Sequence, residues 1–325
     1  MNWDKPIVYA VKHRDENTRA ASRSGGIFTA VSDLILREDG VVWGCVLDGK
    51  FSAHHQRAID CEHRDLMRGS KYVQSNLFDT FKGVKDDLEQ DKKVLFSGTS
   101  CQVAGLRSFL GKEYDNLLCI DIVCHGVPSP LVWRDYLTWQ GKKNQSDISN
   151  VDFRDKKFGW STHIETLHLE NGREVNSRVY TSLFYAHNIL RPSCYKCPYK
   201  GVIHPGDITI ADYWGIDKAA PGFNDDKGVS LVLINNERGM VCFNEAKEST
   251  LYQETRLEDS MQPPLKAPFP SPPNRKAFWS DYKKLSFEKI ARKYSEYGFS
   301  YRFKKKLNKS IDKAKRFVLK LLGKR

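Results

Sequence analysis

The sequence predicts an α/β protein: a mixed sheet flanked by helices, with an inserted small antiparallel, cysteine-containing region and a helical C-terminal extension. Three observations lead there. Through residues 7–140, apolar runs of strand length alternate with amphipathic segments of helix length. From 151 to 215 the runs become short and polar-flanked. Beyond a proline-rich stretch at 261–276, helix-period patterns return.

Each element has a local reason. "IVYAV" (7–11) reads as a strand, and "GGIFTAVSDLILRE" (25–38) as a helix entered through glycines. "VVWGCVL" (41–47) is a buried strand, followed by the amphipathic "LFDTFKGVKDDLEQ" (77–90). "KVLFSG" (93–98) and "LLCIDIV" (117–123) are strands on either side of the short helix "CQVAGLRSFL" (101–110). "PLVWRDYLTWQ" (130–140) is a helix opened by proline, whose fixed φ suits the first turn. "VDFRDK", "HIETLHLENGREVNSRVY" and "DITIADYWG" read as short, partly antiparallel strands, with "ENGR" (170–173) as a hairpin turn. "VSLVLINN" (229–236) is a buried strand leading into a helix over 237–248. The prolines of 261–276 make an extended linker or wrap. The expected division is a large domain over 1–260, a linker over 261–274 and a basic helical extension over 275–325.

Composition narrows the functional classes. The chain has 325 residues, 40% hydrophobic and 28% charged, which suffices for a sizeable core. No apolar run reaches the roughly 18 residues of a membrane span. The segment "MNWDKPIVYAVKHRDENTR" lacks an apolar signal core, so a cytoplasmic location is expected. The net charge is +12, but residues 301–325 hold eleven Lys or Arg against Asp312, which is +10, leaving +2 elsewhere. A nucleic-acid interface across the whole domain is thereby disfavoured. In the tail, Phe303, Leu307, Ile311, Ala314, Val318 and Leu321 recur every three or four residues among lysines and arginines. This is a basic amphipathic helix, suited to packing on the domain or to lying on an anionic membrane surface.

Eight cysteines are spread along the chain. "RPSCYKCPYKG" (191–201) places Cys194 and Cys197 in a C-x-x-C turn between prolines, a spacing that lets two thiolates share one metal centre. Two more ligands must come from elsewhere. Cys45, Cys119 and Cys242 read as packed small hydrophobes and Cys61 as a solvated thiol. Cys101 and Cys124 each follow a strand and start a turn, and strand ends are where sites gather in α/β sheets. Cys101, Cys124, Cys194 and Cys197 therefore form the best ligand set, for a 4Fe–4S cluster or for zinc. His125 is a further polar neighbour of the set, and nucleophilic catalysis by Cys101 with His125 is the minor alternative.

Three polar loops accompany the cysteines. "SRSGGIFTA" (22–30) exposes Ser24, Gly25 and Gly26 at a helix N-terminus; its simpler reading is a helix capped by Ser24. "RGSKYVQS" (68–75) gathers Arg68, Ser70, Lys71, Tyr72 and Gln74. "SGTS" (97–100) offers Gly98 and Thr99 beside Gln102. Together they suit a nucleotide-like ligand.

Taken in order, "SGGIFTA", "RGSKYVQS", "VLFSGTSCQVAGLR", "DIVCHGVPSP", "CYKC" and "DITIADYWG" resemble the coenzyme F420 hydrogenase/dehydrogenase beta-subunit family across residues 5–235. The resemblance implies an iron–sulfur flavoprotein oxidoreductase that binds FAD and a 4Fe–4S cluster, with coenzyme F420 as a further candidate. It implies Cys101, Cys124, Cys194 and Cys197 as cluster ligands. Ser24, Gly25, Gly26, Ser70, Lys71, Tyr72, Thr99 and Gln102 become flavin-pocket residues, alongside Arg68, Gln74 and Gly98 of the same loops. Many relatives have proline where this chain has Ser100, a change expected to matter little. Many also carry an N-terminal ferredoxin-like segment, whereas this sequence opens on the flavoprotein region. The expectation is a separate ferredoxin-like or other redox partner. Relatives of this type accompany polysaccharide-synthesis enzymes, which implies work at the inner face of the membrane. The alternative function is a zinc-stabilised or non-catalytic accessory protein of glycan assembly.

Overall fold

The structure is a computed structural model, and it describes residues 3–298; the basic helix expected over 301–325 lies outside the described residues. The chain forms two compact units. The first comprises Met1–Pro130, Phe153–Thr162 and Leu190–Pro270; the second comprises Leu131–Asp152, His163–Ile189 and the chain from Ser271 onward.

In the first unit the chain runs β1 (Ile7–His13), α1 (Glu16–Ala21), α2 (Ile27–Arg37), β2 (Val41–Leu47) and β3 (Ala53–Ala58). It continues through α3 (Cys61–Asp65), α4 (Thr80–Glu89), β4 (Val94–Thr99), α5 (Ser100–Leu110) and β5 (Leu117–Ile122). The second unit takes α6 (Pro130–Asn144, whose first residue closes the first unit), β6 (Ile148–Asp152), β7 (Glu165–Leu169), β8 (Glu174–Ser177) and α7 (Val179–Tyr185). The first unit resumes with β9 (Ile208–Asp212), α8 (Ile216–Ala219), β10 (Ser230–Ile234), α9 (Glu237–Ala246) and β11 (Thr250–Thr255). α10 (Arg275–Tyr282) and α11 (Phe287–Tyr294) belong to the second.

One eight-stranded mixed sheet organises the first unit, in the order β11-β1-β10-β9-β5-β4-β2-β3. β2, β4, β5 and β9 pair in parallel, and the other neighbours are antiparallel. The inner strands are buried on both faces and so read as unbroken apolar runs. "SLVLI" of β10 is buried at every position. Ile27, Ala30, Val31 and Ile35 of α2 pack on the sheet with Val42, Leu95, Ile120 and Val232. Each such aliphatic side chain contributes about 1.5–3 kcal/mol on burial. On the other face, Val8, Ala10, Tyr213, Leu231 and Leu265 form a separate cluster.

The alternating elements fall where the sequence indicates, within a few residues. The departures are local. β3 ("AHHQRA") and β11 ("TLYQET") carry no apolar run and join the sheet as its two edges. In "VDFRDK" the strand stops at Asp152, and Phe153 and Arg154 are buried in the first unit instead. "RVY" is not strand: α7 starts at Val179. β9 belongs to the main sheet, parallel to β5. The small antiparallel sheet β6-β7-β8 lies in the second unit, while Cys194 and Cys197 lie in the first, so the antiparallel and cysteine-containing parts are separate. The proline-rich stretch wraps the first unit: Leu265 is 1% exposed, and Gln262 Nε2 donates to Asp212 O at 2.8 Å.

In the second unit Trp133, Tyr136 and Tyr180 pack together, with ring centroids 4.7–5.8 Å apart. The buried Glu165 carboxylate accepts from the Tyr180 amide at 3.0 Å and from the Tyr136 hydroxyl at 3.2 Å. Burial raises its pKa despite these donors.

Candidate functional site

β1 runs in the same direction as β2, β4, β5 and β9, because two antiparallel pairings separate it from β9. The C-terminal ends of all five strands therefore meet at one sheet edge, where α/β proteins place ligands. Four loops leave this edge: 22–26 after β1, 97–102 at the end of β4, 123–128 after β5 and 213–215 after β9.

Backbone contacts bring the cysteines to this edge. Pro128 and Leu190 form an antiparallel bridge, and the Arg191 amide donates to Val127 O at 2.8 Å. Gly126 adopts φ +139°, a conformation that favours glycine, and packs against the Leu190 side chain. Pairing these segments carries the 3-10 turn Pro192–Lys196, and with it Cys194, to the end of β5. The Val127 amide then donates to Cys194 Sγ at 3.4 Å. Cys101 lies in the first turn of α5, exposed, with its sulfur 3.2 Å from Thr99 Oγ1.

The four predicted thiols act on one another electrostatically. Burial pushes the Cys124 thiol up to about 12, with Cys194 and Cys101 adding to the rise. Burial also raises Cys194, and Cys101 and Cys197 contribute. Lys200 opposes the rise at both thiols. Among the described residues no group of three or more His, Cys, Asp or Glu is gathered closely enough to hold a metal ion. A single zinc would need all four sulfurs at about 2.3 Å. A four-iron cluster spreads the same thiolates around a larger body. One further observation bears on the fit: Lys200 Nζ is buried beside these thiols with no hydrogen-bond partner among the described residues. An anionic group held by these cysteines would supply the counter-charge that Lys200 lacks.

Behind the cysteine turn lies a polar network that the sequence did not reveal. His204 Nδ1 lies 3.1 Å from Ser100 Oγ and 3.1 Å from Asp121 Oδ2. Thr209 Oγ1 donates to Asp121 Oδ1 at 2.6 Å. Asp121, His204, Ser100 and Thr209 are all buried. Ser100 is thus a specific partner of His204, which corrects the expectation that its hydroxyl matters little. Only the spacing of Ser100, Asp121 and His204 in space identifies the network; no local motif marks it.

The polar loops are tied to the same edge. Ser24 Oγ donates to Val229 O at 2.6 Å, and the Gly25 amide donates to Ser230 Oγ at 2.9 Å. These groups anchor the loop rather than cap the helix. The N-cap of α2 is Gly26 at φ +93°, with no side-chain cap bond, so the capping role read for Ser24 does not hold. Arg68 Nε donates to Thr29 Oγ1 on α2 at 3.1 Å. Lys71 Nζ donates to Leu66 O and Arg68 O, and burial lowers its pKa to about 8, with Cys45 opposing. Cys45 is therefore half-buried beside a lysine rather than packed in the core. The Tyr72 hydroxyl is 3.3 Å from Arg154 Nη1, and Arg154 is paired with Asp212. The Gln74 amide donates to Pro128 O at 3.1 Å, which links this loop to the cysteine strap. Ser70 stays exposed. At the end of β4, where Gly98 approaches the Gln102 side chain, the Thr99 amide donates to Gln102 Oε1 at 2.9 Å.

Among the buried polar atoms at this edge, His13 Nε2 and Asp212 Oδ1 find no hydrogen-bond partner among the described residues. The Asp15 amide donates to His13 Nδ1 at 3.1 Å, so the neutral ring carries its proton on Nε2. An unanswered donor and an unanswered acceptor fit a polar ligand along this edge. The other cysteines lie apart from the set: Cys119 buried in β5, Cys242 in α9, and Cys61 exposed at the start of α3. His125 stacks on Phe269 at 4.3 Å. The second unit holds a polar cleft of about 590 Å³, lined by residues that include His163, Arg178, Lys293 and Glu296. None of the predicted site residues lines it, and Arg178 and Lys293 already pair with Glu296 and Asp281.

The comparisons with known proteins bear on the family and the fold. The family model for the C terminus of the coenzyme F420 hydrogenase/dehydrogenase beta subunit matches residues 91–260, a little over half of the chain. A solved chain of the F420-reducing [NiFe] hydrogenase complex from Methanosarcina barkeri shares the fold, with TM-score 0.53 and 17% identity. The match covers 88% of this chain and 89% of that one. No curated protein matches.

Proposed function

The chain belongs to the coenzyme F420 hydrogenase/dehydrogenase beta-subunit family, and from that premise we propose that it is an iron–sulfur flavoprotein oxidoreductase. In this reading Cys101, Cys124, Cys194 and Cys197 hold a 4Fe–4S cluster, and the three polar loops hold FAD. Residues 1–260 carry the redox domain. When bound, the two groups supply one-electron and two-electron chemistry, respectively, which couples an electron-carrier protein to a hydride acceptor such as coenzyme F420.

The observation that supports the reading is that Cys101, Cys124 and the Cys194–Cys197 turn, drawn from three separate segments, act on one another electrostatically at one sheet edge, with Lys200 acting on Cys124 and Cys194. The protein's own residues have definable tasks there. The Val127 amide stabilises thiolate at Cys194. Gly25 lets the loop pack against the backbone of Val11 and Ser230, and Gly26 leaves the first turn of α2 without a side-chain cap, where a phosphate would be attracted. His13 Nε2–H and Arg68 add donors beside that turn. The Gln74 amide joins the loop 68–75 to the cysteine strap at Pro128, and the Tyr72 hydroxyl meets Arg154. A place in polysaccharide synthesis at the inner membrane face, through the basic tail, extends the proposal. No helix of the described residues is long and apolar enough to cross a membrane.

Anaerobic purification tests the reading. The protein is expected to be brown, to contain about four irons per chain and to release flavin on denaturation. Colourless protein with one zinc per chain overturns it in favour of a structural metal site.

A further inference from the structure

Lys200 follows the C-x-x-C turn, and its Nζ is buried with no hydrogen-bond partner among the described residues. This sets it apart from other buried cations of the first unit. Arg19 pairs with Asp225, Arg64 with Asp33 and Arg154 with Asp212. Lys200 has instead the face of Phe269, 5.9 Å from Nζ to the ring centroid, which is near the outer limit of cation–π attraction. Phe269 stacks in turn on His125, the neighbour of Cys124. The groups that feel the Lys200 charge are the thiols of Cys124 and Cys194.

A buried ammonium with no counter-ion is costly, and a hydrophobic neighbour recovers little of that cost. The cost falls when an anion occupies the position its charge acts on. Four thiolates around an iron–sulfur body carry net negative charge, and each added electron makes that charge more negative. We propose that Lys200 is the built-in counter-cation of the four-cysteine centre and sets its reduction potential, holding it higher than the thiolates alone would. The inference rests on the cluster reading of the preceding section. Its redox step is simple: one electron passes from the electron-carrier protein to the centre, and no bond forms or breaks. The ammonium favours the reduced state because that state has the larger negative charge. Lys200 is thus a positioning charge, and it need not touch any substrate.

The test compares full-length wild type, Lys200→Met and Lys200→Arg, prepared anaerobically. Iron is counted, and the midpoint potential is read by an EPR-monitored redox titration. Lys200→Met is expected to keep its iron and to titrate at a more negative potential, while Lys200→Arg stays at the wild-type value. Loss of iron in Lys200→Met with retention in Lys200→Arg also supports the proposal, because charge is then what the centre requires. An unchanged potential in an iron-replete Lys200→Met protein overturns it and leaves the cluster reading intact. Loss of iron in both variants overturns it too, since shape rather than charge would then be at work. Wild type without cluster iron is a different failure: it removes the cluster reading and this inference with it.

Discussion

His55 gives the fold a calculable weakness toward acid. It sits on β3, stacked on Phe96 with centroids 5.4 Å apart. Its Nδ1 lies 2.7 Å from Ser75 Oγ, and its Nε2 lies 3.0 Å from Ser97 O. Burial lowers its pKa from 6.5 to about 4, with the Ser97 carbonyl opposing. The unfolded chain takes up this proton near 6.5, whereas the folded chain resists it until about 4. The folded value is the depressed one, so the contribution is complete above pH 6.5 and disappears as pH falls toward 4. The separation, 6.5 − 4 ≈ 2.5, at about 1.36 kcal/mol each, gives roughly 3 kcal/mol. Urea unfolding of wild type and of His55→Asn, followed from neutral pH to pH ~4, isolates the effect. Asparagine keeps a hydrogen-bonding side chain but has no proton to gain, and the carboxylates common to both proteins cancel in the difference. Wild type should lose about 3 kcal/mol more than the variant over this window. Parallel curves would refute the reasoning, because burial would then not be what keeps the ring neutral.

Four further outcomes are expected. Cys194→Ala should lose most of the bound iron, while Cys119→Ala keeps it and costs about 1–2 kcal/mol for the small cavity left in β5; iron per chain and urea midpoints check both. Gly25→Ala should destabilise the protein by about 3 kcal/mol, because the new Cβ would stand 2.1 Å from Val11 O and 2.6 Å from Ser230 N, both backbone atoms; a wild-type urea midpoint would count against this geometry. Ser100→Pro should fold, since proline suits a first helical turn, yet lose about 1 kcal/mol with the contact to His204; thermal unfolding reads the difference. Deleting residues 301–325 should abolish sedimentation with anionic vesicles, and undiminished binding would end the membrane proposal.

The legible parts of the fold were those written in burial. "VVWGCVL", "KVLFSG", "LLCIDIV" and "VSLVLINN" are apolar because their strands are covered on both faces, so their runs announce them. The edge strands β3 and β11 are held chiefly by backbone pairing on one side, which leaves no mark on side-chain pattern. "RVY" looked like strand because its β-branched and aromatic residues suit either state; as the start of α7 they are buried within the second unit. The site divided in the same way. C-x-x-C and the strand-end cysteines are local patterns and could be read directly. Lys200 and His204 could not, because an unpaired ammonium or a shared hydrogen bond exists only after segments such as 100, 121 and 204 have met. Ser24 misled for a related reason: its sequence position suited a helix cap, but a carbonyl more than two hundred residues away took its hydroxyl.

The first unit is discontinuous: Cys101 and Cys124 precede the stretches 131–152 and 163–189 that the chain gives to the second unit, and Cys194 and Cys197 follow them. On the ribosome, half of the sulfur set therefore emerges and waits while these foreign stretches are synthesised. Iron delivered early would meet only an incomplete pair of thiols. Closure comes when residues 190–194 reach the strap beside Gly126, a long-range event of the kind that comes late and slowly in folding. On the proposed cluster reading, the arrangement makes metal loading a timestamp on the chain, marking a molecule in which the second unit's stretches 131–152 and 163–189 have already been synthesised.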